Sequence, residues 1–432
     1  MNMNDSSQRR VITPAKSIEG SVALPGDKSI SHRYAMLAAL ADGRSRLENF
    51  SAAADCASTL ACLRQAGVQV KHEGGCVEIT GGPMRAPSAP LDCGNSGSTM
   101  RMLAGILAGQ PFACEMTGDD SLRRRPMARI FEPLRQMGAT IAGIEGDRPP
   151  LRIIGHPLRA IDYKLPVASA QVKSCVLFAG LLAQGTTSVE EPVPTRDHSE
   201  LALAAFGATL EKHGNRIRIE GGQRLRAIKA SVPGDISSAA FFLCAAALFP
   251  GSNLVVDNLL LNPTRAAILD VLAQLGLEIH FLHVAETNGE LAGSLQARGG
   301  QLKGCEIRGA LTALLIDELP VLAAIAPYTG SGVVIADARE LRVKESDRIA
   351  AIVSNLRAMG ATVEEREDGM AIPGGQSLHG AAVNSYGDHR IAMAFSVAAL
   401  RAKGETIIED AGCAAVSYPA YFETLEKLVQ RS

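Results

Sequence analysis

The feature that most constrains this chain is internal repetition. A helix-like run ending in Leu-x-x-Leu, Leu-x-x-Met or Leu-x-x-Phe, then a glycine, then an alternating strand-like segment, recurs five times. The copies span residues 60–70 around Gly67, 134–141 around Gly138, 203–210 around Gly207, 272–279 around Gly276 and 356–363 around Gly360. A glycine there suits the left-handed residue that ends a helix and turns the chain into a strand. The period is about 70 residues, stretched before the last copy.

A second pattern interleaves with the first. Turns of small polar residues at 25–33, 94–101, 166–173, 233–238, 317–320 and 386–390 lead into Ala/Leu-rich helices whose bodies are apolar all round. Such a helix is buried rather than amphipathic. Six strand-and-helix units therefore each bury one helix and leave its polar N-terminus at an accessible edge. Six units fit two domains of three, with a crossing near residues 232–235 and a short strand at 21–24. The residues alone assign that short strand to neither domain. Residues 1–10 read as a disordered tail.

Composition narrows the function. The chain has 432 residues, 47% of them hydrophobic, with a net charge of −2 and no Trp. That excludes wholesale disorder, a basic nucleic-acid surface and an aromatic base-stacking platform. Nine scattered cysteines without a CxxC pair read as reduced thiols, and the polar start MNMNDSSQRR lacks the apolar core of a secretory signal. The longest apolar run, residues 239–250, is about twelve residues and too short to span a bilayer. These readings point to a soluble cytoplasmic protein with no membrane or nucleic-acid partner.

Any anionic ligand must then be held by local charge. Helix N-termini attract anions, and these turns add Lys28, Ser29, Arg33, Arg101 and Arg390. Arg123–Arg125 precede a helix expected near Met127, and Lys344 and Arg348 stand at i,i+4, as on one helix face. Arginine captures carboxylate and phosphate bidentately; lysine supplies a point charge or a proton. Other chemistries fail on spacing. Asp27 stands where a P-loop needs glycine, Gly94-Asn-Ser-Gly97 closes too early for a nucleophile elbow, and the histidines show no metal spacing.

Together Leu24-Pro-Gly-Asp-Lys-Ser-Ile-Ser-His-Arg33, Gly94-Asn-Ser-Gly-Ser-Thr-Met-Arg101, Arg125-Pro126, Ser169-Ala-Gln171, Arg342-Val-Lys-Glu-Ser-Asp-Arg348 and Asp388-His-Arg390 resemble the 5-enolpyruvylshikimate-3-phosphate synthase family, in order, from about residue 16 onward. The resemblance implies an α/β fold of two domains, each of three βαβαββ units around buried helices (an inside-out α/β barrel), with the active site in the cleft between them. It places crossovers near residues 24–26 and 233–239, which give an inserted domain of residues 25–239 and a discontinuous one of residues 1–24 plus 240–432. It implies transfer of the enolpyruvyl group of phosphoenolpyruvate to the 5-hydroxyl of shikimate 3-phosphate. The route is addition and elimination through a tetrahedral intermediate, without metal or cofactor.

It also implies roles. Lys28 is the proton shuttle that contacts both substrates, Asp317 the base at the 5-hydroxyl, and Glu345 the acid at the methylene carbon. Ser29 and Arg33 hold the shikimate carboxylate. Ser169, Ala170 through its backbone, Arg196 and Lys344 hold its phosphate, with Gln171 against the ring. Arg125, Arg348 and Arg390 clamp phosphoenolpyruvate beside Asn95 and Gly97, whose lack of a side chain leaves room also for the inhibitor glyphosate. Asp55, Arg101 and His389 support the site, and a monomer is implied.

The chain departs from the family pattern at two places. Val416 stands where some members carry a lysine, and Ser169-Ala170-Gln171 with Thr195-Arg196-Asp197-His198 replaces a pattern with two serines and a tyrosine. The sibling transferase acting on UDP-N-acetylglucosamine is a rival reading, but its loop cysteine has no counterpart in residues 118–125. A non-catalytic anion-binding protein on the same scaffold would lack Lys28, Asp317 or Glu345, and all three are present.

Overall fold

The computed structural model describes residues 9–145 and 147–431. Two compact units emerge. One comprises residues up to Pro25, Pro233–Ala285 and Leu291 onward; the other comprises Gly26–Val232 with Glu286–Glu290. The expected boundary at 239/240 shifts to 232/233, because Ile236–Ala247 is one continuous helix capped by Asp235 and a crossing cannot fall inside it.

The six expected helices are Lys28–Leu40, Gly97–Ala108, Ala170–Leu181, Ile236–Ala247, Leu319–Ile325 and His389–Ala399, and beyond the first turn almost every residue of each is buried. Five start on a side-chain cap: Asp27, Ser96, Ser169, Asp235 and Asp388 each accept from a backbone N–H of the first turn. Small residues let these helices approach closely. A Cβ on Gly105 would lie 2.2 Å from the carbonyl oxygen of Cys175, so the Gly97–Ala108 and Ala170–Leu181 helices touch backbone to backbone there. The five repeat glycines all adopt positive φ, from 86° at Gly360 to 108° at Gly276, as the helix-ending role requires.

Among the described residues each unit carries three sheets built on one plan: a first strand parallel to a second, and a third antiparallel to the second. In Leu91–Asp92, Ala113–Thr117 and Arg148–Ile154 the plan is complete, with Thr140–Ile144 at the far edge. The chain alters it by exchanging two strands. Ser17–Ala23, just before the Lys28–Leu40 helix, pairs in parallel with Asn253–Leu260, which follows the Ile236–Ala247 helix. Lys229–Ser231, just before that helix, pairs in parallel with Arg44–Glu48. Each strand thus takes the place that order along the chain would have given to the other, and the chain crosses twice.

The N-terminus also departs from expectation. Residues 1–8 lie outside the described residues, but Arg9 and Arg10, read as part of a tail, form the strand Arg9–Ile12, antiparallel to Thr406–Glu409. Among the described residues no helix is long and apolar enough to cross a membrane, and no cluster of His, Cys, Asp and Glu could hold a metal ion.

Candidate functional site

In the unit formed by Gly26–Val232, the cap on Asp27 places Lys28 at the head of its helix. Its Nζ donates to Asp55 Oδ2 at 2.9 Å, both side chains being largely buried. Asp55 Oδ1 finds no donor among the described residues. Five residues further along the helix, Arg33 is buried and donates to Ser199 Oγ (2.7 Å), Ser174 Oγ (2.9 Å) and the Ser29 carbonyl (2.8 Å). Burial outweighs nearby carboxylates and lowers its pKa to about 10, with Arg196 adding repulsion. Arg33 and Arg196 therefore share one neighbourhood, and the Ala170–Leu181 helix, which carries Ser174, is capped by Ser169.

A second network in this unit is continuous. Arg125 Nη2 donates to Asn95 Oδ1 (2.6 Å) and Ser121 Oγ (3.2 Å), and Asn95 Nδ2 donates to Asp119 Oδ2 (2.7 Å). Arg101 Nη1 donates to Gln171 Oε1 (2.6 Å), and Gln171 Nε2 to Ser98 Oγ (2.8 Å). A Cβ on Gly97 would lie 2.9 Å from Arg101 Nη1 and 3.6 Å from Arg125 Nη1. The bare backbone at Gly97 allows the Arg101 guanidinium to lie this close to the helix head, with that of Arg125 at ordinary contact distance.

In the other unit the charges centre on Arg348, 1% exposed. It donates to Asp388 through Nε (2.8 Å) and Nη2 (3.2 Å), and to Glu345 Oε2 at 2.7 Å. Burial opposes the Arg348 charge, yet Asp388, Glu345 and Asp317 hold its pKa above the ordinary value. Burial likewise opposes ionisation of Asp388, and Arg348 overrides it to lower that carboxyl's pKa. Asp317 stands 3.7 Å from Arg348 Nη1 and 3.8 Å from Arg390 Nη2, and Arg390 Nη1 donates to its backbone carbonyl at 2.6 Å. Burial lowers the pKa of Lys344, partly offset by Asp317.

The expected helix face carrying Lys344 and Arg348 is not formed. Arg339–Val343 is a 3-10 turn, and Asp347 caps a new helix that begins at Arg348. The i,i+4 spacing instead places Lys344 on the approach to that helix and Arg348 at its head. Val416 lies in another 3-10 turn, Ala411–Val416, following the left-handed Asp410.

Lys28 and Asp55 are thus brought together, as are Arg33 and Arg196, the group Asn95, Gly97, Arg101, Arg125 and Gln171, and the group Asp317, Glu345, Arg348 and Arg390. Sequence reasoning missed the partners that hold these groups. Ser174 and Ser199 fix Arg33, Asp119 fixes Asn95, and Asp388 fixes Arg348. Of these only Asp388 carried a signal, standing beside His389 and Arg390 in a turn already singled out. Lys173, also missed, is buried on an apolar helix and donates to Glu191 (2.9 Å) and Glu200 (2.8 Å) at the two ends of the segment bearing Arg196.

Capped helix heads bearing fixed cations, with carboxylates kept among them, are the equipment of an enzyme that handles small, multiply charged anions. The family described as EPSP synthase (3-phosphoshikimate 1-carboxyvinyltransferase) matches residues 12–425. Proteins named 3-phosphoshikimate 1-carboxyvinyltransferase are 62% identical in Koribacter versatilis and 53% in Solibacter usitatus, each match covering 97% of this chain and 99% of the relative. The solved EPSP synthase of Acinetobacter baumannii superimposes with a TM-score of 0.88 at 40% identity, over 98% of this chain and 99% of that one. The chain belongs to the EPSP synthase family and is a transferase of the shikimate pathway. The reading as a UDP-N-acetylglucosamine transferase is not favoured.

Proposed function

We propose that this chain moves the carboxyvinyl group of phosphoenolpyruvate onto the 5-hydroxyl of shikimate 3-phosphate and releases phosphate. The observation that carries the proposal is Asp317, a carboxylate set between the guanidiniums of Arg348 and Arg390 and followed in the chain by a buried helix. A carboxylate so placed serves as a base beside a bound anion.

Asp317 takes the proton of the 5-hydroxyl as its oxygen attacks C2 of phosphoenolpyruvate, while Glu345 protonates the methylene carbon. Glu345, ionised by the first step, then takes a methyl proton back from the tetrahedral adduct as the C–O bond to phosphate breaks. Lys28 gives a proton to the departing phosphate and is resupplied with the proton that Asp317 took from the hydroxyl. Arg125, Arg348 and Arg390 hold phosphoenolpyruvate beside Asn95, Gly97 and Gln171. Ser29 and Arg33 hold the shikimate carboxylate; Ser169, Ala170, Arg196 and Lys344 hold its phosphate. Asp55 keeps Lys28 in place, and Arg101 and His389 support the two networks. Arg196 supplies the phosphate contact that the altered serine–tyrosine pattern removes.

Glyphosate competes with phosphoenolpyruvate in this reading, and the chain acts as a monomer. Nine free cysteines, six of them buried, support a reducing cytoplasmic setting. Phosphate release is measured from phosphoenolpyruvate with shikimate 3-phosphate or with UDP-N-acetylglucosamine as acceptor. Turnover with the first and none with the second is expected; the reverse result refutes the assignment.

A further inference from the structure

Next to Asp317 lies a buried polar cluster that the roles above leave unused. Arg265 and Glu318 are each 1% exposed, and Ser237 is 6% exposed. Arg265 Nη2 donates to Glu318 Oε1 at 3.2 Å and also to Ser237 Oγ, whose own proton goes to the same carboxylate oxygen. The three come from separate places. Arg265 follows the strand Asn253–Leu260 in a turn held by its own backbone N–H to the Asn262 carbonyl (2.8 Å). Ser237 lies in the first turn of the Ile236–Ala247 helix, and Glu318 immediately precedes the Leu319–Ile325 helix.

Stability alone does not account for this cluster. Glu318 Oε2 is buried and meets no hydrogen-bond donor among the described residues. A buried ion pair left incompletely satisfied contributes little net stability compared with apolar side chains of similar volume. What the cluster does achieve is geometric. It fixes the Glu318 side chain, while Arg390 Nη1 holds the carbonyl of Asp317 and the Glu318 N–H donates to the Leu315 carbonyl at 2.8 Å, so the peptide joining 317 to 318 and the side chain beside it are held together. The ion pairs of the Asp317 carboxylate itself, at 3.7 and 3.8 Å, are longer than any of these contacts. The backbone beneath that carboxylate is thus held in addition to the contacts its own charge makes.

We propose that Arg265 is a positioning residue for Asp317, acting through Glu318; this rests on Asp317 being the base at the acceptor hydroxyl. Phosphate release and thermal unfolding are measured for the double variant Arg265→Met/Glu318→Leu, which strands no buried charge, and for Arg265→Lys, Glu318→Gln and Asp317→Asn. The expected result for the double variant is a wild-type unfolding midpoint, unchanged KM for phosphoenolpyruvate and kcat lower by about tenfold or more, as for a catalytic group displaced by a fraction of an ångström. Arg265→Lys, keeping the charge without the fork, should be intermediate. Wild-type kcat in the double variant while Asp317→Asn is inactive overturns the positioning role alone; wild-type kcat in Asp317→Asn overturns the base assignment and this proposal with it. If the double variant does not fold, Glu318→Gln decides, and wild-type kcat there overturns the proposal. Losses of kcat that merely track a lowered unfolding midpoint, with KM rising alongside, also overturn it.

Discussion

Gly97→Ala tests whether the Arg101 guanidinium depends on one bare backbone position. Gly97 is not left-handed, so alanine fits its backbone, and relief of glycine's entropy favours folding by up to about 1 kcal/mol. The new Cβ would stand at ordinary contact distance from Arg125 Nη1, 3.6 Å away, but only 2.9 Å from Arg101 Nη1. The end of a flexible side chain yields to such a contact without moving the backbone. That nitrogen, however, is the one that donates to Gln171 Oε1 at 2.6 Å. A hydrogen bond to a charged group contributes about 1.5–3 kcal/mol, and its partial loss places the effect on phosphoenolpyruvate near the lower end, roughly tenfold in KM. Steady-state phosphate release, glyphosate inhibition and thermal unfolding should show a retained midpoint, the raised KM and glyphosate inhibition weakened at least as much. In a cycle with Gln171→Ala, the second substitution should add less than its effect alone. Unchanged KM and unchanged inhibition in Gly97→Ala would refute the reasoning, as would simple additivity in the cycle.

Lys28→Ala should lower turnover by about 10²-fold or more while the fold persists, because the proposed role gives Lys28 a proton to carry as well as a charge; near-normal turnover in the phosphate assay would remove it from the mechanism. Asp388→Ala removes the main partner of a buried guanidinium and a helix cap together, so denaturant unfolding should register a loss of about 3–5 kcal/mol; a loss below about 1 kcal/mol would show that Glu345 and Asp317 suffice. His32 is buried with Nδ1 2.7 Å from Thr59 Oγ1, and burial, with Lys28 and Arg33 nearby, lowers its pKa well below 6.5. The folded state therefore gains stability from a neutral His32 above pH 6.5 and loses it as pH falls below that value. The unfolding midpoint of His32→Gln should accordingly change less than that of the wild type between pH 6.5 and the onset of carboxylate protonation; parallel profiles would exclude His32 as the source.

The repeat plan was legible because each unit carries its own punctuation. Gly67, Gly138, Gly207, Gly276 and Gly360 end helices through local backbone geometry, and Asp27, Ser96, Ser169, Asp235 and Asp388 start them through local side-chain bonds. The exchange of Ser17–Ala23 with Lys229–Ser231 was not legible from residues alone, since both precede equivalent helices and pair in the same parallel manner. Only tertiary packing decides between them. The same limit hid Arg9–Ile12, whose polar composition suggests a tail until Thr406–Glu409 offers it an edge. At the site, the motif turns located the cations but not what holds them. Ser199 lies 166 residues from Arg33, and Asp388 lies 40 from Arg348. The i,i+4 spacing of 344 and 348 misled because Asp347 caps a helix that begins only at Arg348, and two cations at that spacing give a continuous helix no support to set against a local cap.

Arg33 and Arg348 show two ways of burying a cation, with different consequences. The side chains that Arg33 bonds are hydroxyls, which direct the guanidinium without neutralising it, and burial prevails, lowering its pKa to about 10. Arg348 is bonded to carboxylates, and they prevail, raising its pKa. An anion arriving at Arg33 supplies the opposite charge that its bonded partners lack, so it relieves part of a desolvation cost already incurred in folding. An anion arriving at Arg348 meets a charge already shared with Asp388 and Glu345 and gains less. A carboxylate that remains in place through the reaction is well served by the first arrangement. A group whose phosphate must leave is better served by the second, where the cation stays compensated after release.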